Sequence, residues 1–143
     1  MGMTAMFSDK DASSLLRQHD INPTPQRIRI TALLKSKCVH MSAEDVYLAI
    51  NRKGKYLVSK ATVYNTLGLL SQHGVVREVI ADPGKVFYDP NTEPHHHFFD
   101  VTTGELVDID ASRVRVTGLP ALPPGATFEG VEIIVRLRSP KDK

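Results

Sequence analysis

This 143-residue sequence predicts an α+β fold in two parts, and three observations predict it. Up to Gly74 the apolar residues recur at the three-and-four spacing of amphipathic helices, with a fresh start signal after each break. After Gly74 they recur at the shorter period of strands. Charge divides along much the same line: residues 1–77 hold eleven Lys/Arg against five Asp/Glu, and residues 78–143 hold seven against eleven. We divide the chain into residues 1–90 and residues 91–143, each of a size at which a small core becomes viable.

The elements follow in order. Residues 9–19 place Ala12, Leu15, Leu16 and His19 on one helix face. Pro23 ends that helix, because the residue before a proline is driven away from helical geometry. Thr24 caps a second helix whose first position is Pro25, where a missing N–H does no harm; it runs to about Lys37 through Ile28, Leu33 and Leu34. Ser42-Ala43-Glu44-Asp45 is a capping box with Asp in the usual Glu/Gln place, opening a third helix through Val46, Ile50 and Arg52. Ser59 caps the fourth, with Val63, Leu67 and Leu70 on its buried stripe and Gly74 as its left-handed stop. Residues 75–81 and 85–89 are β-rich runs joined by Asp82-Pro83-Gly84, in which Pro fixes φ and Gly accepts a positive φ.

Four helices followed by a hairpin is the order of a winged helix-turn-helix, which sets its last helix in the DNA major groove and lays the hairpin over the backbone. Lys60, Thr62, Tyr64 and Asn65 occupy the first two turns of that helix. There, Thr methyls and Tyr rings meet thymine methyls, Asn pairs with adenine and Lys answers phosphate. An ordinary solvated helix face has the same composition. The basic first half suits a polyanion, and the acidic second half suits a cation site. No apolar run approaches the roughly 20 residues of a membrane span, and no secretory signal precedes the first helix, so a cytoplasmic location is expected. The single cysteine, Cys38, excludes an intrachain disulfide framework and any zinc site built from cysteine pairs.

The second part carries His95-His96-His97-Phe98-Phe99-Asp100. As a strand, it puts His95 and His97 on one face and His96 on the other. Two imidazoles at that spacing form a workable chelate, and Fe(II), Mn(II) and Zn(II) accept mixed imidazole and carboxylate ligands. Asp89, at the hairpin exit, and Asp108, in the next β-rich run, are available carboxylates. Three histidines in a row are equally the mark of a solvated or adventitious run. Residues 128–138 are rich in β-branched residues and complete a three-stranded sheet with runs at 97–102 and 104–109. A sheet that small is marginal alone, so the second part reads as a small α/β dimerisation domain paired across a two-fold axis. Residues 118–125 hold three prolines and read as a loop.

Pro25-Gln26-Arg27, Ser42-Ala43-Glu44-Asp45-Val46-Tyr47 and Ala61-Thr62-Val63-Tyr64-Asn65-Thr66-Leu67 resemble, in order, three motifs of the ferric uptake regulator family, over about residues 12–110. The resemblance implies a homodimeric, metal-dependent regulator that binds a double-stranded, AT-rich, palindromic operator in response to iron or peroxide. It places Tyr64 and Asn65 near bases, and Arg27 and Lys60 on the backbone. It assigns the sensing metal, Fe(II) or Mn(II) with Zn(II) as a further candidate, to His40, Asp89, His95, His97 and Asp108. An ion so held would clamp the two parts at one angle. An Asp at position 89 resembles the peroxide-responsive branch, which implies oxidation of His40 or His95 by peroxide at bound Fe(II), loss of metal and release of DNA.

Other features resemble the iron-response-regulator branch: the triple histidine before Phe-Phe, the prolines of residues 119–125 and the missing cysteines. Asp100 and Thr103 stand where many relatives carry a Cys-x-x-Cys pair, so no structural cysteine-held zinc is expected. Pro94 and Arg115 stand where a second site would need ligands, which leaves His96 without metal-binding companions. The family's dimerisation helix is not evident in the sequence. Haem at His95 to His97 is an alternative ligand, although Cys38-Val39 is not a Cys-Pro pair. The contender from another class is a small mononuclear metalloenzyme using the His/His/Asp set. Five ligands leave it no open position, and only Glu93 is at hand as a base.

Overall fold

A computed structural model of the chain describes residues 7–37, 39–52 and 57–140; Cys38 lies outside them. The elements are α1 (Asp9–Gln18), α2 (Pro25–Lys37), α3 (Ala43–Asn51), α4 (Lys60–Gln72), β1 (Arg77–Asp82), β2 (Lys85–Asp89), β3 (His95–Asp100), β4 (Leu106–Asp110) and β5 (Ile134–Leu137). They form two compact units, the first closing at Thr92 and the second opening at Glu93. No helix among the described residues is long and apolar enough to cross a membrane.

Local chemistry sets the helix starts. Ser8 and Asp11 form a reciprocal box at α1, with Asp11 N–H donating to Ser8 Oγ (3.0 Å) and Ser8 N–H to Asp11 Oδ2 (3.1 Å). Ser42 and Asp45 repeat it at α3, at 3.1 Å each way, and Ser59 Oγ accepts from Thr62 N–H at α4 (3.1 Å). Leu16, Ile30, Leu34, Val46, Val63, Leu67 and Leu70 are fully buried where the four helices meet. Each such side chain stabilises the unit by roughly 1.5–3 kcal/mol relative to exposure.

Two sequence expectations are corrected here. α1 ends at Gln18, within one residue of the expected range, but the stop is Asp20 rather than Pro23, since Asp20 takes a left-handed φ of 60° and turns the chain back. Gly84 does not adopt a positive φ. The β1–β2 hairpin closes with Asp82 opposite Lys85 and takes its twist from a register shift between Ile80 and Asp82.

The second unit is a three-stranded sheet in the order β4-β3-β5, with β3 antiparallel to β4 and parallel to β5. Regular pairing in the tail is confined to Ile134–Leu137, because Gly130, at φ 143°, breaks the extended run proposed for residues 128–138. The proline-containing stretch 114–126 is irregular, as its composition demands. Phe99 and Leu106 are the apolar side chains this unit buries among the described residues, while Phe98, Val107 and Val135 form an exposed row across its three strands.

Asp100 and Thr103 organise the β3–β4 turn by hydrogen bonding. Asp100 Oδ1 accepts from Thr102 N–H (2.8 Å) and Thr103 N–H (3.3 Å), and Thr103 Oγ1 accepts from Glu105 N–H (3.2 Å). Thr102 Oγ1 donates to Ser139 O (3.3 Å), clipping the chain after β5 to the turn. Desolvation pushes the Asp100 carboxyl up, but hydrogen bonds from Ser139, Thr102 and Thr103 outweigh it and hold the group below the ordinary 3.8. A depressed carboxyl contributes stability that is present above the unfolded value and lost as pH falls through the folded one. Thermal unfolding from pH 5 down to about pH 2 is therefore expected to show Asp100→Ala losing less stability on acidification than wild type; parallel curves would refute a stabilising role for the hydrogen bonds to the Asp100 carboxylate.

Candidate metal centre and nucleic-acid face

In the first unit a pair of backbone bonds positions the ligands. Met41 N–H donates to Tyr88 O (3.2 Å) and Tyr88 N–H to Met41 O (2.7 Å), an antiparallel bridge between the α2–α3 connection and β2. One residue outward on each side, His40 therefore faces Asp89, with Nε2 3.3 Å from Oδ2. Asp89 is buried, and its Oδ1 accepts from Asn91 N–H (2.9 Å), which leaves Oδ2 turned to the imidazole. Lys35 Nζ donates to Pro90 O (2.8 Å) and pins the strand exit. A carboxylate this deep requires a cationic or hydrogen-bonding partner.

In the second unit, register does the same work. His97 pairs with Asp108 across β3 and β4, and period two brings His95 to the same face. His95 Nε2 lies 3.5 Å and His97 Nε2 3.4 Å from the one Asp108 Oδ1, and the three candidate ligand atoms all lie within 4.8 Å of one another. The two rings meet edge to face at 4.5 Å. His95 Nδ1 sits 2.6 Å from Glu93 O. A carbonyl can only accept, so Nδ1 carries the proton and Nε2 presents its lone pair, the tautomer a metal requires.

The remaining acidic and histidine groups have other work. Asp110, opposite His95, accepts from Ser112 N–H (2.9 Å) and Ser112 Oγ (2.7 Å) and caps the short turn Ala111–Arg113. His96 points away, and its Nδ1 accepts from Ile133 N–H (3.1 Å). Donor atoms about 2.0–2.2 Å from a metal and set at angles of about 90–120° stand roughly 2.8–3.8 Å apart. The separations of 3.3–3.5 Å within each unit match that spacing, so the residues fit a divalent ion.

The sequence-selected nucleic-acid residues lie on α2 and α4 of the first unit. Arg27, Thr62 and Asn65 line one groove together with Gln26. Tyr64, half exposed, lines another with Glu44, Glu78 and Lys85 at the hairpin. Gln26 and Lys85 were not singled out from sequence; the signals were the Pro25-Gln26-Arg27 motif itself and a cation beside the hairpin turn. The Thr62 hydroxyl accepts from Ser59 Oγ (3.0 Å), and Arg27 Nη1 donates to Asn22 O (3.0 Å). Lys60 lies 3.6 Å from Glu44 and 5.4 Å above the Tyr47 ring.

Comparisons with known proteins show the family. The profile of the Ferric uptake regulator family matches residues 18–119. The peroxide operon regulator of Bacillus subtilis (strain 168) is 33% identical over 100 residues, spanning 69% of this chain and 68% of that protein. The peroxide-responsive repressor PerR of Staphylococcus aureus (strain Mu50 / ATCC 700699) is 32% identical over 99 residues, spanning 69% and 66%. A ferric uptake regulator from Pseudomonas aeruginosa, solved with manganese, superposes with a TM-score of 0.69 at 28% identity, over 91% of this chain and 98% of that one. Proteins so named are regulators rather than enzymes, which disfavours the metalloenzyme alternative. The chain belongs to the ferric uptake regulator family, whose members are metal-responsive transcription regulators that bind DNA and form dimers.

Proposed function

We propose that this protein is a homodimeric repressor gated by one divalent ion per chain, with His40 and Asp89 supplying ligands from the first unit and His95, His97 and Asp108 from the second. The observation that carries it is the convergence of two imidazole Nε2 atoms on one carboxylate oxygen, with His95 fixed in the ligating tautomer by Glu93. When bound, the ion supplies positive charge and fixed ligand angles and, if it is iron, a reductant for peroxide. Fe(II) and Mn(II) suit a nitrogen-and-oxygen set without thiolate, and Zn(II) binds it as well. An ion is favoured over haem, because His95, His96 and His97 are all buried at 9% exposure or less.

The second unit buries so little apolar surface of its own that a second copy supplies the cover it lacks. Two copies present two α4 helices across a two-fold axis, so the operator is palindromic; Tyr64 and Asn65 favour A·T pairs within it. A DNA partner places the protein's work in the cytoplasm.

The test is an anaerobic Mn(II) titration of the purified chain, with binding followed by anisotropy against a duplex selected from a random-sequence library. Binding is expected to rise with metal and to weaken steeply with salt. Repeating it with Fe(II) and a peroxide pulse separates the signals: release with Fe(II) but not Mn(II) supports the peroxide response, and no release supports plain iron sensing. Equal DNA binding with and without bound metal would overturn the proposal.

A further inference from the structure

α1 and α4 end in the same way. After α1, Asp20 N–H bonds to Arg17 O (3.1 Å) and Ile21 N–H to Leu16 O (2.9 Å), with Asp20 at φ 60°. After α4, Gly74 N–H bonds to Ser71 O (3.2 Å) and Val75 N–H to Leu70 O (2.9 Å), with Gly74 at φ 76°. These are two Schellman caps in matching positions, each with its apolar pair, Leu16 with Ile21 and Leu70 with Val75, in the core. The C-cap residue is a histidine in both, His19 and His73. His19 Nδ1 lies 2.8 Å from His73 O, and His73 Nδ1 lies 2.9 Å from His19 O. Since a carbonyl only accepts, both rings carry their proton on Nδ1, and each donates to the orphan carbonyl at the other helix's end.

We infer that His19 and His73 form a clasp that seats the C-terminal end of the recognition helix on α1, and that they are positioning residues for DNA reading. The inference rests on the DNA-binding role of α4. A helix of 13 residues is about 20 Å long, so an unseated end that swings by about 5° displaces the reading end by about 2 Å. That is several times the roughly 0.5 Å spread of hydrogen-bond lengths that a bidentate base contact tolerates. Among the described residues, the hydrogen bonds of the His19 and His73 rings go to each other's backbone carbonyls and not to Arg27, Lys60, Tyr64 or Asn65. Asp20, a non-glycine held left-handed, marks the strain the first cap accepts to keep this geometry.

The experiment compares the full-length Mn(II)-loaded chain with His19→Ala, His73→Ala, the double variant and His73→Asn, whose side-chain amide retains a donor near Nδ1. Affinity is measured for the duplex that the wild type selects from a random library. Each alanine variant is expected to bind about fivefold more weakly, the double variant more weakly than either single one because each bond keeps its own backbone acceptor, and His73→Asn close to wild type. Long-range ¹H–¹⁵N spectra of the wild type are expected to show a proton on Nδ1 of both rings. Alanine variants that bind like wild type, a failed asparagine rescue, or rings whose Nδ1 carries no proton would each overturn the clasp. If the wild type selects no duplex, the DNA reading falls and the positioning role with it, while the tautomers still report on the contact itself.

Discussion

Asp108→Ala is expected to weaken Mn(II) binding by at least about 100-fold, the upper end of what loss of a mere supporting group costs, while leaving the fold intact. Its side chain is about half exposed, so truncation opens no cavity. Yet its Oδ1 is a carboxylate oxygen that both His95 and His97 face. Two controls separate this from general damage. Asp110→Ala removes a neighbouring acid on the same sheet face, but one committed to Ser112, and metal affinity should stay within about twofold. His96→Ala leaves Ile133 N–H without its acceptor and should cost about 1–3 kcal/mol of stability, with affinity kept. Calorimetric titration reads the affinity. Thermal unfolding reads the linkage, since metal at a hundredfold excess over Kd stabilises wild type by about 2.7 kcal/mol and should give Asp108→Ala almost nothing. Equal affinities for wild type and Asp108→Ala would remove the site from the second unit.

How much of this was legible in the sequence depends on range. Caps are local, so Ser42 with Asp45 and Ser59 before α4 could be read directly, as could the alternation that puts His95 and His97 together. The end of α1 was read to within one residue, but its stop is Asp20 rather than Pro23, because Asp at positive φ is a weaker signal than Gly. His40 opposite Asp89 depends on the Met41–Tyr88 bridge, a pairing between distant segments that no periodicity reports; the family resemblance alone nominated it. The commitment of Asp110 to Ser112 has a local signal, since Asp110-Ala111-Ser112 is the pattern of a carboxylate-to-backbone turn. Backbone anchors such as Glu93 O and Asn91 N–H have no side-chain signature at all. The groups that orient a site are therefore less readable than the groups that compose it.

The nucleic-acid face gives the second large effect. Asn65→Ala is expected to cost about 1–3 kcal/mol of operator affinity and to do so selectively, flattening preference at one base pair. Lys60→Ala should weaken binding to all sequences alike and lower the slope of log affinity against log salt by about 0.9. The distinction follows from what each side chain does in the free protein. Lys60 pairs with Glu44 at 3.6 Å, but both groups are more than half exposed, so the pair is worth little and water and salt compete with it readily. Exchanging Glu44 for a phosphate costs the first unit almost no stability, which leaves a charge contact without sequence information. Asn65 is exposed on the adjoining turn, in the groove shared with Arg27, and its amide offers the donor and acceptor that an adenine edge requires. Measured on the selected duplex and on single-base variants across 50–200 mM salt, the two substitutions should separate cleanly. If Asn65→Ala instead weakens every duplex equally while Lys60→Ala leaves the salt slope unchanged, α4 is not the element that reads the groove.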